Sequence, residues 1–204
     1  MSLLTRVQAY ATPELLKRAE RILIYLHGTK GMKLTYPASN NVGMDLIWAP
    51  RVTVEGFSDS TWDLAHSTSA YVFRLRSGGG AISWMTKKQV TIALTSQNAE
   101  IVAGSLAGCE SIPLLGITEE LGFKQDGPMT LYMDSTNAIN LAHDPVNYSA
   151  SKHIARRDLF IRELVEKNIL KPCYTATAKN IADALTKPLE RGIFRAHRAA
   201  LMGT

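Results

Sequence analysis

The chain predicts an α/β fold built on a mixed five-stranded sheet, three antiparallel strands followed by parallel ones, with helices flanking it. Three observations carry this. A glycine-rich turn, Arg76-Ser77-Gly78-Gly79-Gly80, separates two apolar runs and reads as a hairpin. From Asn98 onward the apolar spacing changes to that of a helix. Two later short apolar runs, Thr130–Met133 and Leu170–Thr175, alternate with helical stretches, the habit of parallel strands.

The elements follow in order. Thr12-Pro13 offers a capping hydroxyl and a proline suited to a first helical turn. Leu15, Leu16, Ala19, Ile22, Leu23 and Leu26 then share one helical face as far as His27, and Gly28 ends it. This helix reads as the end of a larger unit, and residues 37–50, with their Pro, Asn and Gly, as a linker. Val52 to Asp59 is a strand closed by an acid, and Ala70–Leu75 and Ala81–Met85 complete the antiparallel set. The helix from Asn98 to Leu121 contains Gly104, Gly108 and Pro113, which predict a kink or break near its middle. Asn137–His143 is a short helix, Ser151–Asn168 a longer amphipathic one, and Asn180–Lys187 opens a terminal helix. Residues 51–190 form the expected domain, between a helical appendage with its linker (1–50) and a tail (191–204).

With 204 residues, 46% hydrophobic and 20% charged, the chain has ample length for a globular core. Its net charge of +5 leans toward a polyanionic partner. The excess gathers early, at Lys17, Arg18, Arg21, Lys30 and Lys33, and late, at Lys152, His153, Arg156, Arg157 and Arg162. Cys109 and Cys173 sit in apolar surroundings, which fits a reducing, intracellular location without a disulfide framework. No signal-peptide pattern is visible, and no apolar run approaches the ~18 residues of a membrane span. The expected partner is therefore not a membrane.

Four acids carry the chemistry: Asp59, Glu100, Asp134 and Asp183. A carboxylate that closes an apolar strand needs a partner or a cation, because burying its charge is costly. If the fold brings the four together they form an all-oxygen cage suited to a hard divalent ion. Each has a plainer reading: Asp59 and Asp134 as ordinary strand-end residues, Glu100 and Asp183 as acids complementing a helix N-terminus. Tyr132-Met133-Asp134-Ser135 superficially resembles a polymerase hairpin, but that motif needs two adjacent acids and Ser135 breaks it. Trp62 and Trp84 read as core or groove packing.

The element order and its acids resemble the ribonuclease H arrangement. More specifically, Gly56-Phe57-Ser58-Asp59, Gly79 to Trp84 with Lys87-Lys88-Gln89, Ser96 to Glu100, Ser151-Lys152-His153-Ile154 with Phe160 to Glu163, and Ala182 to Leu189 are similar to the ribonuclease H domain of copia-type (Pseudoviridae) retrotransposon polyproteins. Arg21 to Thr29 resembles the segment that joins reverse transcriptase to that domain. The resemblance runs from about residue 12 to 190.

The resemblance implies endonucleolytic hydrolysis of the RNA strand of RNA–DNA hybrids by two Mg2+ ions, which Mn2+ can replace, leaving 5′-phosphate and 3′-hydroxyl ends. On this chain Asp59 would bridge both ions, Glu100 and Asp134 would hold the first, and Asp183 the second. Ser60, Ser135, Thr136 and Asn137 are the expected contacts to the hybrid backbone, with Lys87, Lys88, Lys152, His153 and Arg157 toward phosphates. A reverse transcriptase domain in the same polyprotein is the implied partner, and the site of action a cytoplasmic virus-like particle or the nucleus. The histidine that cellular ribonucleases H carry before the last acid has no counterpart in Tyr174 to Lys179, which predicts a slower enzyme or more dependence on the polymerase. Ala155 and Asn98 stand where the family often has acids. The competing classes are an inactive nucleic-acid-binding module and a relative performing strand transfer or exonuclease trimming.

Overall fold

A computed structural model of the chain describes residue 4 and residues 8–10, 12–36, 53–63, 66–76, 78–123, 125–143 and 152–204. The chain divides into two compact units, Met1–Lys33 and Leu34–Thr204. The first carries a 3-10 turn, Gln8–Tyr10, and helix α1, Pro13–Gly28. The Thr12 hydroxyl caps α1 by accepting from the Leu15 amide at 3.3 Å, as Thr-Pro predicts. The expected linker at 37–50 lies outside the described residues.

In the second unit β1 (Val54–Thr61), β2 (Thr68–Leu75) and β3 (Ala81–Lys88) form an antiparallel set. Strands β4 (Met129–Met133) and β5 (Leu170–Tyr174) extend it in parallel, giving the order β3-β2-β1-β4-β5. Strand β1 is central and buried over its first six residues. Gly56 lets it pack there, since a Cβ would stand 2.5 Å from Cε1 of Phe73. Its one acid before Asp59, the buried Glu55, is neutralised across the ladder by Arg74, whose Nε donates at 2.8 Å. Edge strand β3 turns polar and exposed toward Lys88. The opposite edge, β5, tolerates Pro172, whose missing N–H costs least in a strand with one neighbour. Gly78, at φ 92°, supplies the left-handed residue of the β2–β3 turn.

Helix α2, Ser96–Glu120, is capped by Thr95, which accepts from the Asn98 amide at 3.1 Å. It runs unbroken past all three residues expected to interrupt it. Gly104 and Gly108 serve close approach: added Cβ atoms would meet Met133 at 3.0 Å and Leu164 at 2.8 Å. Pro113 forfeits the bond to the carbonyl of Cys109, a residue on the exposed side of the helix. The expectation of no membrane-length apolar stretch is also corrected. Helix α2 is long and apolar enough, by length and composition, to cross a membrane. Here that apolarity serves the core, with Ala99, Ile101, Ala103 and Ala107 buried.

Helices α3 (Thr136–His143) and α4 (Lys152–Glu166) join α2 around a core of Phe73, Met129, Leu131, Met133, Ile161 and Leu164. The predicted terminal helix is divided. A 3-10 turn at Thr177–Lys179 precedes the short α5, Asp183–Thr186. Residues read as a tail contain helix α6, Arg191–Met202, whose Ala200 and Leu201 close a second cluster with Phe57, Val72 and Ile181. Gly203, at φ 74°, ends α6 against the chain at Thr35, whose amide donates to the Met202 carbonyl at 2.8 Å.

Candidate active site

Parallel pairing of β1 with β4 brings the ends of both strands to one edge of the sheet, and α2 starts beside them. Asp59 near the end of β1, Glu100 in the first turns of α2 and Asp134 just after β4 converge there. One carboxylate oxygen from each lies within 4.8 Å of the others. Asp59 and Glu100 are buried and Asp134 half-buried.

Each acid has a dedicated support. Ser60 donates to Oε1 of Glu100 twice, from its amide at 3.0 Å and its hydroxyl at 2.8 Å, while the buried Oε2 has no hydrogen-bond partner among the described residues. Thr186 on α5 donates its hydroxyl to Oδ2 of Asp59. Thr177 donates to Oδ2 of Asp134 at 2.9 Å. The fully buried Asn180 fastens this loop to the sheet: its side-chain amide donates to the Ser58 carbonyl at 2.9 Å, and its Oδ1 accepts from the Ala182 amide at 3.3 Å.

The fourth acid differs. Asp183 is buried at the start of α5 but stands outside the three-carboxylate group, and Lys187 pairs with its Oδ1 at 2.6 Å. Its charge still reaches Asp59.

The electrostatics follow from crowding acids in a poorly hydrated corner. Burial lifts the Asp59 carboxyl to about 6; the Thr186 hydroxyl opposes this, and the charges of Asp183 and Asp134 reinforce it. Burial, then the Asp59 charge, push Glu100 to about 8 despite its Ser60 hydrogen bonds. Burial works against the Lys187 ammonium, but the hydrogen bond and charge of Asp183, with Asp59 and Asp134, raise its pKa overall. Ionised together, Asp59, Glu100 and Asp134 repel one another. A hard cation relieves that repulsion, and their all-oxygen donor set, with Oε2 of Glu100 unpartnered, fits one.

The remaining predicted residues separate into groups. Ser60 is committed to Glu100, and Ser135 accepts from the Ala138 amide at 3.3 Å to start α3. Thr136 and Asn137 are exposed beside Asp134. Asp59 pairs with Ala70 and Ala70 with Thr86, so the exposed Lys87 and Lys88 flank the same sheet edge two strands away. Arg157 is exposed on α4, and the side chains of Lys152 and His153 lie outside the described residues. Trp62 and Trp84, expected in packing, are more than half exposed; the Trp62 indole donates to the Ala93 carbonyl at 3.0 Å. Thr177, Asn180, Thr186 and Lys187 were not among the predicted site residues. The signal for two of them was spacing, since positions three and four beyond Asp183 share its helical face.

Comparison with known proteins places this geometry. The chain is similar to the retrovirus-related Pol polyprotein from transposon TNT 1-94 of Nicotiana tabacum, 34% identical over 177 residues. It is similar also to that from transposon RE1 of Arabidopsis thaliana, 33% identical over 188 residues. The alignments take in 85% and 90% of this chain. The chain is thus similar to one segment of these plant retrotransposon Pol polyproteins, and it spans 12% of the length of each of them. No family model matches the sequence. Among solved structures, LC11-RNase H1 in complex with an RNA/DNA hybrid superposes with a TM-score of 0.50 at 14% identity, covering 65% of this chain and 93% of that one. A second structure of LC11-RNase H1, isolated from compost, gives 0.50 at 15%, covering 65% and 91%. The fold of the chain is ribonuclease H-like, with the expected antiparallel-then-parallel sheet.

Proposed function

We propose that this chain is a segment of a retrotransposon Pol polyprotein and hydrolyses the RNA strand of RNA–DNA hybrids endonucleolytically, with divalent metal, during reverse transcription. The observation that carries it is the convergence of Asp59, Glu100 and Asp134 within 4.8 Å at the shared end of β1 and β4. Support comes from kinship with Pol polyproteins and from a ribonuclease H-like fold whose solved example carries an RNA/DNA hybrid.

Asp59, Glu100 and Asp134 would hold one Mg2+ ion, or Mn2+ in its place, and Asp59 with Asp183 a second. When bound, the ions supply an activated water and charge stabilisation for the departing 3′ oxygen. The protein's part is to keep the carboxylates fixed and ionised. Ser60 orients Glu100, Thr177 orients Asp134, and Thr186 with Asn180 holds α5 against β1. Because Glu100 must lose its proton to serve, metal uptake strengthens as pH rises toward 8 and releases protons. Lys87 and Lys88 would guide a phosphate backbone across the sheet edge, with Thr136 and Asn137 close to the cut.

In this proposal the reverse transcriptase domain of the same polyprotein is the partner, acting inside the cell, where Cys109 and Cys173 stay as free thiols. The test is cleavage of hybrid, duplex RNA and duplex DNA side by side with Mg2+. The proposal expects the hybrid alone to be cut, leaving 5′-phosphate and 3′-hydroxyl ends. Cutting of duplex DNA, or hybrid cutting undiminished by a chelator, would overturn it.

A further inference from the structure

The carboxylate assigned to a second ion already holds a cation. Lys187 Nζ lies 2.6 Å from Oδ1 of Asp183, an acid only 3% exposed, so the two form a close ion pair at a largely dry carboxylate. The geometry is built in, not incidental. The i, i+4 spacing stacks Lys187 over Asp183, and the single hydroxyl proton of Thr186 between them lies within reach of Oδ2 of Asp59 and, at 3.1 Å, of the Asp183 carbonyl. The charges of Asp59 and Asp134 act on the Lys187 ammonium in the same direction as that of Asp183. A divalent ion held by Asp59 and Asp183 would have to share the Asp183 carboxylate with that ammonium, and like charges repel. The Lys187 side chain is 43% exposed, which leaves it a path to solvent or to a substrate phosphate.

We propose that Lys187 is a built-in cation occupying the second-ion position. The free protein therefore takes up one divalent ion, at Asp59, Glu100 and Asp134, and admits a second only when Lys187 is drawn off Asp183. The inference rests on the metal-dependent nuclease reading and deepens it.

Mn2+ binding to the 204-residue chain, followed by calorimetry and by the electron paramagnetic resonance of free Mn2+, tests it without reference to activity. The expected stoichiometry is one ion for the wild type and for Lys187→Arg, and two for Lys187→Met. Loss of the nearby positive charge also raises affinity at the first position by about 3–10-fold. Lys187→Gln is the second variant should Lys187→Met fold poorly, again with two ions expected. Two ions in the wild type, or one in both neutral variants, would overturn the inference and leave the nuclease reading standing. No bound ion in any form would overturn both.

Discussion

Glu100→Gln is expected to stabilise the metal-free protein at alkaline pH. Glutamine keeps an oxygen to accept from the Ser60 amide and hydroxyl, and puts an amide in place of the unpartnered Oε2. One oxygen of Glu100 lies within 4.8 Å of oxygens of Asp59 and Asp134, so an amide in this group has carboxylates nearby to which it can donate. In the wild type, burial and the Asp59 charge raise Glu100 from 4.5 to about 8. The folded state thus binds the proton more tightly than the unfolded state. Its stability is whole below pH 4.5 and declines as pH rises to 8. The interval corresponds to a ceiling of about 5 kcal/mol. Asp59, raised from 3.8 to about 6, acts in the same direction over a lower window. Urea unfolding in EDTA at pH 5 and pH 8.5 measures the effect. The two proteins should nearly coincide at pH 5, and at pH 8.5 the variant midpoint should lie about 1–2 M higher. Mg2+ at pH 8.5 should close most of the gap by stabilising the wild type. A difference between the two proteins that does not change with pH would refute the reasoning.

Other outcomes follow from the same geometry. Asn180→Ala strands the Ser58 carbonyl and the Ala182 amide in the core and should cost ~2–4 kcal/mol, read as a lower urea midpoint. Gly56→Ala drives a methyl into the Phe73 ring and should cost ~1–3 kcal/mol, lowering the thermal midpoint. Replacing Lys87 and Lys88 by alanine should weaken hybrid binding and reduce the slope of log affinity against log salt by about 1 for each lysine, measured by fluorescence anisotropy.

The sheet was legible because its signals are local. The glycines after Arg76 mark the hairpin, and the apolar runs ending at Asp59 and Asp134 mark strands that deliver acids to one edge. What escaped depends on contacts distant in the chain. Gly104 and Gly108 read as helix breakers until Met133 and Leu164 are seen against them. Helix α6 passed for a tail, although Phe194, His197 and Leu201 keep helical spacing; its burial depends on β1 and β2. Three of the four acids converge as their strand and helix positions imply. Asp183 differs because a lysine one helical turn away answers its charge locally. The supports Thr177, Thr186 and Asn180 carry no chemical signature of their own and acquire a role only through the tertiary pairing of the last loop with β1 and β4.

The most direct measurement is cleavage of an RNA–DNA hybrid labelled separately on each strand, with Mg2+ or EDTA, for the wild type and Asp134→Asn. Asparagine removes one negative charge at nearly constant shape and keeps an oxygen for Thr177, so the fold should persist. The account predicts Mg2+-dependent cutting of the RNA strand alone, reduced on the order of 100–1,000-fold or more in the variant while hybrid binding is retained. Undiminished cutting by Asp134→Asn, or cutting of the DNA strand, would contradict it.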